Sequence, residues 1–373
     1  MRAKSLKLGR FAGIPLYVDP IWPLIFAGMA WILADAYLPG AFEAAPATYW
    51  LLGVATTLLF FGAVLLHELG HALIARAQGA QVRRITLLFF GGLAEMDSTP
   101  TRARDELASA LAGPAVTLAT GLLFGLVYTL TRPVSPIIAA PARFLQVANI
   151  GLGLFNLLPG LPLDGGRILR AALWALDHDA NWATRQAARA GQWVGILIMS
   201  LGVLLTVRED VNAGILTALV GLSLHHAART AYHQAGVQGA LQGYVVSDLM
   251  QDHSAMLDPH LTLDRLPAEL LMGDSSRYLV GDRGHVLGLV SLRHLRKVPQ
   301  ARWERTRLAE TLTPWDEIEP VSPEMPLDRA LQRMAGSNMA QLPVMADGAL
   351  QGILSRRRII AFVEMRSQAG AGE

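Results

Sequence analysis

Long apolar runs set apart by short polar segments fill the first two thirds of the chain. They fall at Ile21 to about Leu38, then at about 50–74, 107–130, 144–158, 191–207 and 213–228. Most approach the ~20 residues that cross a hydrocarbon core as a helix. The pattern therefore predicts about six transmembrane helices. The fourth run is short and stops at Pro159-Gly160-Leu161-Pro162, so it reads as a broken helix end. Such a break is tolerated at membrane depth only where it faces protein or water. After about Thr230 the pattern changes to mixed helix and strand, as in a soluble α+β region. Between the second and third runs, Val82 to Met96 reads VRRITLLFFGGLAEM. Two apolar arms around Gly91-Gly92 predict a β-hairpin with a tight turn there. It is too short to span as a helix, and is expected to dip into the membrane edge.

Charge orients the runs. Lys/Arg residues are Arg2, Lys4, Lys7 and Arg10 before the first run, Arg76, Arg83, Arg84, Arg102 and Arg104 after the second, and Arg167, Arg170, Arg185 and Arg189 after the fourth. The alternate loops hold only Arg132, Arg143 and Arg208. Thirteen against three places both termini in the cytoplasm of a multi-pass inner-membrane protein. The basic start followed by an apolar run also fits a signal peptide. Its near-spanning length and the alternation of charge favour an uncleaved helix.

The chain is 52% hydrophobic and 17% charged, with a net charge of +2 and a mean hydropathy of +0.34. A lipid bilayer is its expected surroundings. Basic residues spread over short loops give no nucleic-acid footprint. There is no cysteine, which removes disulfides, thiol nucleophiles and thiolate metal ligands. Any zinc must be held by nitrogen and oxygen.

The soluble region repeats itself at an offset of 64 residues. Leu263, Asp264, Arg265, Val280, Gly284, Gly288, Ser291 and Arg293 recur as Leu327, Asp328, Arg329, Val344, Gly348, Gly352, Ser355 and Arg357. Each copy ends in a β-like run followed by a serine that opens a basic helix. The expected division is 1–230 membrane domain, 231–242 linker, 243–300 and 301–366 repeat copies, and 367–373 a disordered tail.

Chemistry concentrates in the second run, at Leu66-His67-Glu68-Leu69-Gly70-His71. His67 and His71 project from one helix face a turn apart, so two imidazoles can bind one metal with Glu68 beside them. This is the H-E-x-x-H pattern of zinc hydrolases, in which the metal activates water and the glutamate handles its proton. Polar groups amid Phe60, Phe61, Val64, Leu65 and Leu69 are costly unless put to use. A catalytic zinc takes three protein ligands, and Asp164 in Asn156-Leu-Leu-Pro159-Gly-Leu-Pro-Leu-Asp164-Gly165-Gly166-Arg167 is the best third candidate. Asp177 and Asp179 read as solvated, and adjacent His225 and His226 cannot share a helix face.

With both motifs in view, the sequence resembles the site-2 protease family of intramembrane zinc metalloproteases, peptidase family M50. Its two motifs, H-E-x-x-H and N-x-x-P-x-x-x-x-D-G, are both present within residues 1–230. Phe90-Gly91-Gly92 and Gly113-Pro114 also match. Where the family often carries an asparagine, Thr117 stands instead, which weakens the expectation of a polar role there. The repeat resembles a tandem CBS pair, as in one subgroup.

The resemblance implies one zinc per chain on His67, His71 and Asp164, and a peptide bond cut within the membrane span of a single-span substrate protein. Glu68 is then the general base, and Asn156 hydrogen-bonds the developing oxyanion or the substrate backbone. Phe90, Gly91 and Gly92 lie where an extended substrate would pair as an added strand. The CBS pair would regulate or dimerise the chain as a homodimer. Adenine nucleotide binding is not expected, because His294 and Arg358 occupy positions where the resemblance calls for a ribose-binding aspartate. The competing class is a CBS-gated transporter or channel with an intramembrane metal site.

Overall fold

The computed structural model describes residues 6–11, 13–88, 91–96, 100–208, 210–252, 256–266, 277–282, 285–291, 294, 297–337, 339–347 and 349–369. The chain forms two compact units, Met1–Ala235 and Gly236–Glu373.

The first unit opens with strands β1 (Leu6–Phe11) and β2 (Ile14–Val18). Helix α1 (Trp22–Ile32) follows and continues as a π-helical segment, Leu33–Tyr37. Then come α2 (Pro46–Ala77), β3 (Val82–Leu88), β4 (Gly91–Met96), α3 (Ala103–Thr131), α4 (Pro136–Asn156), α5 (Asp164–Asp177), α6 (Ala180–Val207) and α7 (Val211–Leu241). Among the described residues five helices are long and apolar enough to cross a membrane, namely α2, α3, α4, α6 and α7, while Trp22–Tyr37 is shorter. The burial pattern is that of a protein in lipid. On α2, Leu51, Leu58, Leu59, Leu66 and Leu73 are exposed, whereas His67, Glu68 and His71 are buried. This is a multi-pass helical membrane protein.

Two features depart from expectation. The N-terminal residues form strands that join the predicted hairpin in a four-stranded sheet, β1-β2-β3-β4. Within it β2 and β3 are parallel, with Leu16 opposite Ile85. The inward side chains Ile14, Leu16 and Ile85 pack on Leu65, Leu69 and Ala72 of α2, fixing the helix turn that carries the H-E-x-x-H motif. In the hairpin, Leu88 pairs with Gly91 and Leu87 with Gly92. The glycines open the second strand; they are not the turn. Phe90 lies outside the described residues.

Close helix approach follows small residues. A Cβ on Gly121 would meet Ile150 of α4 at 2.8 Å, and one on Gly125 would meet Gln146 at 2.7 Å, so the G-x-x-x-G pair of α3 is a packing contact. The broken end of α4 is seated on α6. Leu161 N–H donates to the Ala187 carbonyl at 3.1 Å, and a Cβ on Gly160 would fall 2.4 Å from Gly191 Cα.

The second unit contains α8 (Val246–Leu249), β5 (Gln251–Asp252), β6 (Met256–Leu257), β7 (Arg277–Asp282), β8 (His285–Ser291), β9 (Thr313–Pro314), α9 (Leu327–Gly336), β10 (Gln341–Ala346), β11 (Ala349–Ser355) and α10 (Arg356–Ala369). The 64-residue offset is visible in the pairing itself. Arg277 faces Ser291 and Val280 faces Gly288; in the second copy Gln341 faces Ser355 and Val344 faces Gly352. The copies exchange segments. Strand β5 pairs with β11, while β9 pairs with β8.

Candidate metal centre

Helix α2 delivers His67 and His71 from one face near its C-terminal end, and α5 delivers Asp164 as its first residue. The three side chains meet. His67 Nε2 lies 3.2 Å from Asp164 Oδ2, and His71 Nε2 lies 3.2 Å from Oδ1. The two Nε2 atoms are themselves 3.2 Å apart. All three residues are buried.

The other ring nitrogens are tied down. His71 Nδ1 donates to the Ser109 carbonyl at 2.7 Å, and His67 Nδ1 lies 2.8 Å from Thr117 Oγ1. The Thr117 hydroxyl donates to the Gly113 carbonyl at 3.2 Å, so it accepts from His67. Both Nδ1 atoms therefore carry the proton, and both Nε2 atoms aim at the carboxylate.

These residues fit a zinc ion. Two imidazole nitrogens held by tetrahedral zinc at about 2.0–2.1 Å stand about 3.3–3.4 Å apart, close to the 3.2 Å between the two Nε2 atoms, and each Nε2 has one oxygen of Asp164 at 3.2 Å. The donors are two imidazoles and a carboxylate, with each imidazole oriented by a second hydrogen bond. Space has been reserved for them. A Cβ on Gly113 would lie 2.2 Å from His71 Nε2 and 2.8 Å from His67 Cε1.

Of the other expected site residues, Glu68 is buried on the same helix as the histidines. Asn156 ends α4 and is half-buried. Gly91 and Gly92 sit on β4, which is at the edge of the sheet among the described residues. Asp179 caps α6, accepting from Asn181 N at 2.7 Å and Trp182 N at 3.1 Å. His225 is bonded to the Gln192 carbonyl at 3.2 Å, through contacts on α6 and not at the metal group. The roles of Thr117, of the Ser109 carbonyl and of Gly113 as a spacer were not expected from sequence. A Gly-Pro pair one helix away was the available signal.

A family model described as peptidase family M50 matches residues 55–139 and 131–202, and a CBS domain model matches 310–364. Rip3 of Mycobacterium tuberculosis, whose name describes a zinc metalloprotease, is 33% identical over 97% of this chain and 93% of its own. The chain belongs to peptidase family M50. A second relative of this M50 peptidase, sll0528 of Synechocystis sp., also named for zinc metalloprotease activity, is 31% identical over 96% of both chains. The solved site-2 protease of Methanocaldococcus jannaschii is 28% identical, covers 61% of this chain and 95% of its own, and superposes with a TM-score of 0.43. With the family established, the transporter alternative no longer has support.

Proposed function

We propose that this M50 peptidase is an intramembrane zinc endopeptidase in which His67, His71 and Asp164 hold the metal and Glu68 moves the proton. The observation that carries the reading is the convergence of two Nδ1-protonated imidazoles and one carboxylate in a buried pocket of the membrane unit. Bound there, zinc supplies Lewis-acid polarisation and a nucleophilic water at neutral pH. Glu68 accepts the proton of the attacking water and returns it to the amine nitrogen as the peptide bond breaks. Asn156, at the broken end of α4, donates its amide to the developing oxyanion or to the substrate backbone.

A substrate helix hides its carbonyls in its own hydrogen-bond ladder, so it must be unwound before cleavage. Among the described residues strand β4 pairs with β3 alone, which supports its use as a template for an extended segment entering at Gly91 and Gly92. The substrate class is a single-span membrane protein. The charge distribution supports cytoplasmic termini in an inner membrane. We assign catalysis to residues 1–230 and a regulatory or dimerising role to the CBS pair at 243–300 and 301–366.

The test is co-expression of a single-span membrane protein with wild-type enzyme or Glu68→Gln. The variant is expected to purify with about one zinc per chain and to leave the substrate whole. Cleavage by Glu68→Gln at the wild-type rate would show that the proton is handled elsewhere.

A further inference from the structure

One cluster of charge beside the metal centre has no place in the chemistry above. Glu106, in the first turn of α3, is only 2% exposed. Two arginines of α5 converge on it. Arg170 donates through Nε to Oε2 at 2.8 Å and also bonds the same oxygen through Nη2. Arg167 Nε lies 3.9 Å from Oε1. Arg167 also faces the centre itself. Its Nη1 is 3.7 Å from Asp164 Oδ1, and its Nη2 donates to Ser109 Oγ at 3.5 Å. Ser109 is the residue whose carbonyl orients His71.

The spacing explains the arrangement. Asp164 begins α5, Arg167 follows one turn later and Arg170 two turns later, so all three lie on one face toward α3. The segment joining α4 to α5, 157–163, is irregular and is held on α6, which leaves the seating of α5 on α3 to the contacts between those two helices. A forked guanidinium on a buried carboxylate has a narrow range of acceptable geometries. The pair can therefore set both the height and the rotation of α5 against α3.

We propose that Glu106 is a positioning residue of the metal centre: through Arg170 and Arg167 it fixes α5 on α3 and so sets where the Asp164 carboxylate stands relative to His67 and His71. The inference rests on the assignment of those three residues as the metal ligands. Groups that orient ligands from outside the coordination sphere typically contribute about 10–100-fold to metal affinity or activity.

The experiment uses full-length protein purified in detergent. It measures zinc transfer to a colorimetric chelator, the absorption bands of the cobalt-substituted protein, and thermal stability. Glu106→Gln, Arg170→Lys and Arg167→Met are compared with wild type, with His67→Ala as the ligand control. Arg189→Ala, which removes the Arg189–Tyr232 contact between α6 and α7, is the control for loss of packing alone.

Glu106→Gln and Arg167→Met are expected to raise zinc dissociation about 10–100-fold and to alter the cobalt bands. Arg170→Lys, which keeps charge but loses the fork, should fall between them and wild type. Arg189→Ala should lower stability without loosening zinc. The proposal is overturned if the three variants release zinc within about twofold of wild type, or if their zinc loss only tracks melting as it would in Arg189→Ala. Arg167 is half-buried, so its variant remains informative should Glu106→Gln fail to fold. Retention of zinc by His67→Ala would instead overturn the ligand assignment itself.

Discussion

Gly113→Ala isolates the metal centre from the fold. The added methyl would fall 2.2 Å from His71 Nε2, 2.6 Å from its Cε1 and 2.8 Å from His67 Cε1. Ordinary contacts need about 3.5 Å, so the His71 ring has to retreat by roughly 1 Å, several times the ~0.2 Å tolerance of a zinc–ligand distance. The ring cannot swing freely, because its Nδ1 is held 2.7 Å from the Ser109 carbonyl on the far side. A loss of at least ~100-fold in zinc affinity is expected, which is about 2.8 kcal/mol at 1.4 kcal/mol per tenfold. Helix propensity acts the other way, since alanine in a helix interior is favoured over glycine by about 0.5–1 kcal/mol. The signature is thus a folded protein without metal. Zinc per chain by elemental analysis, with melting measured before and after chelation, reads both quantities. Gly62→Ala on α2, where a Cβ meets nothing within 4 Å, is the control and should keep its zinc. If Gly113→Ala retains one tightly held zinc and wild-type cleavage, the spacer argument is wrong.

Thr117→Val removes the acceptor for His67 Nδ1 and should weaken zinc binding about tenfold, while Thr117→Ser should stay near wild type in the same chelator assay. Asp164→Ala should lose zinc, whereas Asp179→Ala, which removes a helix cap, should cost about 1 kcal/mol of stability and keep the metal; equal zinc loss in both would refute the assignment. Calorimetric titration of the full chain with ATP and with AMP should show no saturable binding at micromolar concentrations. Near the expected ribose position His294 Nε2 is already engaged with Thr313 Oγ1 at 3.2 Å.

The site was legible where chemistry and periodicity coincide. His67, Glu68 and His71 could be placed on one helix because helical spacing and the apolar setting agree. Asp164 stood out because glycines and prolines break the run that precedes it. Other features depend on partners far away in sequence. Strands β1 and β2 are six and five residues long; they pair with each other, and β2 joins the hairpin by parallel pairing with β3, more than sixty residues later. Gly91-Gly92 carries the composition of a turn, yet the register Leu88 to Gly91 makes it strand. Arg167 and Arg170 read as ordinary loop charge and Glu106 carried no signal, because nothing local says that a carboxylate and two guanidiniums sixty residues apart will meet. Thr117 was judged against an asparagine, although a hydroxyl that donates to its own helix can still accept from an imidazole.

The mixed sheet also bears on the parity of membrane crossings. β1 and β2 precede α1, and β3 and β4 follow α2, yet all four share one hydrogen-bonded ladder. A sheet cannot be divided by a bilayer, so the chain must leave and return to the same face between Val18 and Val82. Helix α2 makes one passage, and only Trp22–Tyr37 is available to make the other. Parity would be met if this short segment also crossed, although its 16 residues would reach only about 24 Å as an α-helix. A crossing this short would be matched by thinning of the bilayer, by snorkelling of flanking side chains or by oligomerisation, so the first helix is where the surrounding lipid would be under most strain.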